Sequence, residues 1–185
     1  MGEAREEHPD LFAFVDATEQ PVRRSQDKES QERHYSGKKK RHTRKVQNIV
    51  NEEGLVGDVS ESVPGSVHDR KWFTASGAAR KMPKGVVVGG DAGYQGLQED
   101  LSEHRVITPF KRSKHPPLNE EQKQLNQAFA RSRIIVENTM GAFKHFKALA
   151  EVFRHAVALW DDVFRAVLAI VNPRIQKRIR QASAA

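Results

Sequence analysis

The hydrophobic positions form several short runs and one long stripe. The run LFAFVDAT (11–18) is apolar for five positions before an acid, the pattern of a buried strand that ends in Asp16. Residues 20–37 are polar without a period and read as a loop or hairpin arm leading into the basic stretch KKKRHTRK (38–45). Residues 46–50 and 55–59 flank Asn51-Glu52-Glu53-Gly54, which predicts two antiparallel strands joined by a tight turn. A helix is expected over about 68–80, where Trp72, Phe73 and Ala79 take helical spacings and Pro83 with Gly85 closes it. Val86, Val87 and Val88, followed by Gly89-Gly90-Asp91, make a second apolar strand that runs into an acid. A short helix over 97–104 and a last short strand over 105–110 complete this half.

After Pro116-Pro117 the chain has no proline and one glycine through residue 146, so a long helix is predicted to start near Asn119. At 100° per residue, Leu125, Phe129, Ile135, Val136, Met140, Phe143 and Phe146 fall on one side of that helix and form its buried stripe. Arg133, Glu137 and Lys144 share one narrow face at the shoulder of the stripe. A second helix is expected over about 158–171, ended by Pro173 and followed by the basic tail RIQKRIR. Trp72 and Trp160 are assigned to core packing. The fold class is therefore α/β (α+β): a mixed five-stranded sheet, three antiparallel strands and then a β-α-β unit, flanked by helices.

Composition narrows the setting. A chain of 185 residues suits one domain with a short appendage. The absence of cysteine excludes disulfides, thiolate metal sites and a cysteine nucleophile, and fits a reducing compartment. The longest uninterrupted apolar run is the six residues 166–171, far short of the ~20 needed to span a bilayer, and the N-terminus has no signal-peptide character. A cytoplasmic protein without membrane partners is expected.

Charge becomes informative once it is located. The net charge of +7 arises from residues 33–48, which hold seven bases and no acid, and residues 133–185, with nine bases and four acids, while 1–32 carry a net −5. Two basic patches are the footprint of a polyanion binder, although a solvated surface looks similar. Three acids occupy comparable places: Asp16 and Asp91 at strand ends and Glu137 on a helix shoulder. Hard divalent cations take such oxygen ligands, and a pair of them can activate an oxygen nucleophile and stabilise a leaving oxygen at a phosphodiester. With 24 acids in the chain, chance placement after strands explains the pattern equally well. Arg133 and Glu137 stand four apart and could be a plain surface ion pair. His68-Asp69 reads as a helix N-cap with Asp69 in the first turn, in preference to a metal role.

The segments VDAT (15–18), YSGKKKRHTRKVQ (35–47), PGSVHD (64–69), GGDAGYQG (89–96) and RIIVENTMGAFKHF (133–146) together resemble the catalytic domain of IS5-type insertion-sequence transposases, in the DDE superfamily. The resemblance covers about residues 11–150 and implies an RNase H-like fold. It implies Asp16, Asp91 and Glu137 as catalytic, metal-holding acids for two Mg²⁺ ions, with Mn²⁺ as substitute, in cleavage and strand transfer at transposon ends. Arg133 and Lys144 match the signature cations credited with DNA phosphate contact, and Lys38, Lys39, Lys40, Arg41 and Lys45 are expected to form a phosphate track. The signature's tyrosine, three residues before the arginine, is replaced by Ala130.

The expected organisation is an N-terminal extension (1–10), the catalytic domain (11–150) and a C-terminal helical segment with its basic tail (151–185), with no upstream helix-turn-helix domain. The expected partners are double-stranded DNA, as terminal inverted repeats and target, a helix-turn-helix partner from an upstream frame, and further copies of the chain in a homo-oligomer on DNA, nucleoid-associated when acting. The competing expectation is an inactive or truncated DNA-binding remnant that needs a partner polypeptide for end recognition.

Overall fold

The structure, a computed structural model, describes residues 12–111 and 116–184. The expected N-terminal extension and Leu11 lie outside the described residues. The elements are β1 (Phe12–Pro21), α1 (Lys28–His34), β2 (Tyr35–Ser36), β3 (Arg41–Asn51), β4 (Val56–Val59), β5 (Val63–Pro64), α2 (Asp69–Ala75), α3 (Ala78–Lys81), β6 (Val87–Gly90), α4 (Leu97–Asp100), β7 (Val106–Ile107), α5 (Glu120–Lys144), α6 (Lys147–Ala150) and α7 (Trp160–Ser183).

Five of the strands make the expected mixed sheet, and the two-residue strands β2 and β5 are added to it. β1 runs antiparallel to β3 through nine register pairs, from Ala13 opposite Asn51 to Pro21 opposite Thr43. On its other edge, β1 pairs in parallel with β6 over Phe12–Val15, and β6 pairs in parallel with β7. β4 and β5 pair with β3.

Strand alternation sends side chains to two cores. Phe14, Val22, Val46 and Val50 face α5 and α7, where Val136, Met140, Phe143, Trp160 and Phe164 close over them. Ala13, Val15 and Ile49 face the opposite way, against Phe73, Tyr94 and Leu97. Phe143 stacks on Phe164 at 5.2 Å between ring centroids.

Several elements differ from their sequence-based expectation. β1 does not stop at Asp16. It continues for five more residues, three of them polar, because the eleven-residue β3 supplies hydrogen-bond partners along its whole length. Gln20 in this extension is buried but fully satisfied, donating to the carbonyls of Ala148 and Glu151 and accepting from Trp160 Nε1. The polar stretch before the basic residues contains α1, capped by Asp27, whose carboxylate accepts from Ser30 N at 2.7 Å. It buries no side chain, so no apolar stripe announced it.

The helix over 68–80 is two, broken at Gly77, where the backbone takes φ of 70°. α5 starts as predicted at Asn119, in a capping box with Gln122. Leu125, at 53% exposure, lies beyond the edge of the core, and Phe146 sits past the helix end, half-buried against it. α7 passes straight through Pro173. Trp160, Phe164, Val167, Val171 and Ile175 continue one buried stripe across it, and their burial outweighs the ~3 kcal/mol that an interior proline costs. Asn172, just before the proline, accepts from Val56 N and donates to Val56 O, fastening α7 to β4. Trp160 is a core residue, whereas Trp72 is half-buried and donates to Ser60 Oγ. Among the described residues, no helix is long and apolar enough to cross a membrane.

Candidate active site

Asp16 is the first residue of β1 beyond the stretch paired with β6, and Asp91 is the first residue after β6. The parallel register therefore brings two acids that are far apart in sequence to the same end of adjacent strands. Asp91 caps the short turn Ala92–Tyr94 and accepts from Gly93 N at 2.8 Å, which leaves its second oxygen for other partners. On the face where α5 packs, a narrow crevice holds Asp16 and Asp91 with Arg133. An adjoining cavity of about 230 Å³ holds Asp16 with Glu137, Lys38, Lys39 and Lys144. Asp16 belongs to both. The helical spacing of 133, 137 and 144 thus delivers one cation to the first space and an acid and a cation to the second.

The electrostatics follow from this crowding. Burial pushes the Asp16 carboxyl up to about 6; Arg133 pulls it down, while the charge of Asp91 raises it. Arg133 Nη2 lies 3.5 Å from Glu137 Oε1, so the guanidinium stands between the acids. Below the site, the Tyr94 hydroxyl accepts from Gln47 Nε2 at 2.8 Å, and burial pushes its ionisation well above the usual tyrosine range.

The chemistry of three carboxylate donors suits a hard divalent cation. Their arrangement is one of pairs: among the described residues, no three His, Asp or Glu side chains gather closely enough to enclose a single ion. Asp16 lines both spaces, so Asp16 with Asp91 on one side and Asp16 with Glu137 on the other are the residues that would hold such ions.

Residues 15–172 match the family model described as DDE superfamily endonuclease. The chain belongs to that family. It is also 34% identical over 146 residues to a probable transposase for insertion sequence element IS702 from Microchaete diplosiphon, covering 78% of this chain. The chain spans about half the length of that curated relative. No solved structure matches it.

Within this member of the DDE family the basic residues divide. Lys38, Lys39 and Lys40 occupy the exposed turn between β2 and β3, with Arg41 exposed at the start of β3. Lys38 and Lys39 line the Asp16 cavity. Lys45 does not extend the expected phosphate track. It is 5% exposed, and its Nζ donates to Asp69 Oδ1 at 2.6 Å and to the Val67 carbonyl at 2.7 Å, with Glu19 Oε1 at 3.7 Å. It is buried because β3 is covered on both faces at this point, Val46 beside it being buried on the opposite face.

Two further acids stand near the site: Glu19, which sequence reasoning left out, and Asp69, which it placed in a helix first turn in preference to a metal role. Glu19 stands directly opposite Lys45 in the register and accepts from Thr43 Oγ1 at 2.8 Å. Asp69 is the first residue of α2, as expected, but His68 at the cap position makes no side-chain capping bond. A Cβ placed on Gly93 would stand 2.9 Å from Asp69 Oδ2 and 3.0 Å from Asp91 Oδ1, so any larger residue there must displace one of these two carboxylates. The spacing between the basic stretch and HD (68–69) was the available signal, but pairing them required the β3 register.

Proposed function

We propose that this chain carries the catalytic unit of a DNA transposase, with an RNase H-like sheet, which hydrolyses one strand at a transposon end and joins the freed 3′-hydroxyl to target DNA. The observation that supports the reading is that Asp16 lines both the crevice with Asp91 and Arg133 and the cavity with Glu137 and Lys144. Asp16, Asp91 and Glu137 are the residues that would hold Mg²⁺, or Mn²⁺ in its place; when bound, such ions supply activation of the attacking oxygen and stabilisation of the leaving one.

The chain's own residues do the rest. The Arg133 fork, held near Glu137, orients a phosphate over the strand end. Lys38, Lys39 and Lys144 draw the DNA backbone into the cavity as point charges. The Gly93 N–H fixes one Asp91 oxygen and so sets the direction of the other. Desolvation of Asp16 makes its charge costly in the free protein, which favours the arrival of positive charge there.

The test is nicking of a duplex bearing the element's own end in Mg²⁺ or Mn²⁺. The parent is expected to nick and Asp91→Asn to bind the same duplex without nicking. Equal nicking by both proteins overturns the assignment.

A further inference from the structure

Away from the three acids, a cleft of about 550 Å³ opens between the segment before α1, the start of β3 and the connection that follows α6. Its lining includes Arg23, Arg24, Arg44, His34 and His155, and none of its lining residues is an acid. Arg23 and Arg24 are exposed, and neither forms an ion pair among the described residues. Arg24 Nε is oriented by Gln31 Oε1 at 2.8 Å. Arg44 is held by two bonds to Ser62, and the nearest opposing influence is Asp161, whose carboxylate accepts from Ser62 N.

His34 adds a second, independent observation. Its Nδ1 lies 2.8 Å from the Ser30 carbonyl and therefore donates to it. Its Nε2 is buried and finds no partner among the described residues. Buried polar atoms are as a rule paired, so this unpaired ring nitrogen in a cationic wall points to a polar ligand group that reaches it.

The cleft shares no lining residue with the site. It begins at Val22, just past the end of β1 and six residues along the chain from Asp16, which at strand rise is roughly 20 Å away. Lys144, Lys147 and Arg154 lie exposed along the chain between the two. Arginine forks spaced from a nuclease centre in this way, those of Arg24 and Arg44 held by hydrogen bonds, suit successive phosphates of one backbone, a step of about 3.4 Å per nucleotide.

We propose that this cleft is a second phosphate-binding site, which grips the DNA backbone roughly six nucleotides from the phosphate placed at Asp16. The inference rests on the reading of the chain as a DNA-processing enzyme. Its contacts are to phosphate, so they add affinity and register without base selectivity.

The experiment measures anisotropy of a labelled duplex against salt concentration, for the parent, R23A/R24A and R23K/R24K. Loss of two phosphate contacts makes the slope of log affinity against log salt shallower by about 1.8 in R23A/R24A, whereas R23K/R24K keeps the parental slope. Trimming the duplex one base pair at a time from the flank that reaches the cleft weakens the parent below roughly six base pairs and leaves R23A/R24A unchanged. Should R23A/R24A fold poorly, R23A alone is expected to lose about 0.9 from the slope. A parental slope in a folded R23A/R24A, or equal sensitivity of both proteins to trimming, overturns the inference. Nicking is read separately: a parent that binds but never nicks removes the catalytic reading while the slopes still decide the cleft, and a parent that binds no duplex overturns both.

Discussion

The Lys45 ammonium lies 2.6 Å from Asp69 Oδ1, with both side chains turned into the protein, so the pair ties the middle of β3 to the first residue of α2 directly behind Gly93. A buried ion pair is weak evidence of net stabilisation, but removing one partner strands the other charge.

Lys45→Met is accordingly expected to destabilise the fold by about 3–5 kcal/mol, because Asp69 and Glu19 lose their shared cation. Lys38→Ala, on the exposed turn, is expected to leave stability unchanged and to weaken DNA binding. Urea unfolding and duplex anisotropy of the two variants separate the roles. A K45M protein of parental stability would sink the structural assignment of Lys45.

Asp16 makes stability depend on pH. Its folded value of about 6 stands above the ordinary 3.8, so its contribution is fully present below about pH 3.8 and is lost as the pH rises to and through 6. The loss amounts to about 3 kcal/mol in the metal-free protein. Asp16→Asn is expected to be more stable than the parent at pH 8 and closely matched to it at pH 4, as read by urea midpoints. Parallel midpoints at both pH values would count against it.

Divalent cations act on the same charges. Ligands that bind only the folded state raise its melting temperature, so millimolar Mg²⁺ or Mn²⁺ is expected to stabilise the parent and to have little effect on Asp16→Asn. Calorimetry with and without the ions checks this, and an unresponsive parent removes the assignment of the acids as ligands.

Gly93→Ala places a methyl group about 3 Å from both the Asp69 and Asp91 carboxylates. The Asp91 turn must shift, so nicking is expected to fall at least tenfold, about 1.4 kcal/mol in the barrier, while the melting temperature drops by only a few degrees. Parental nicking by G93A would show that the turn tolerates displacement.

The local devices of this fold were readable from the residues. The Asn119 cap with Gln122, the helical spacing of Arg133, Glu137 and Lys144, the turn at Asn51–Gly54 and the two valine-rich strands all depend on neighbours within a few positions. The helix α1 escaped because a helix without a buried face has no periodicity to read. Pro173 misled because a local penalty of ~3 kcal/mol was outweighed by a distant core. Lys45 misled because seven bases in sixteen residues look alike until the fold covers both faces of β3 at Lys45 while leaving Arg41, four residues earlier on the same face, exposed at the strand's end.

The sequence by itself determined the kinds of elements present, since propensity, periodicity and charge are properties of short stretches, while the three acids were singled out by the resemblance of the segments that carry them. Only the tertiary structure decided that β1 runs past Asp16, that the parallel register sets Asp16 beside Asp91, that Lys45 is spent on Asp69, and that the arginines at 23, 24 and 44 share one cleft. Each of those depends on which strand edges and helix faces meet, and that is settled by burying one continuous core and pairing every backbone group within it, a condition that no local segment contains.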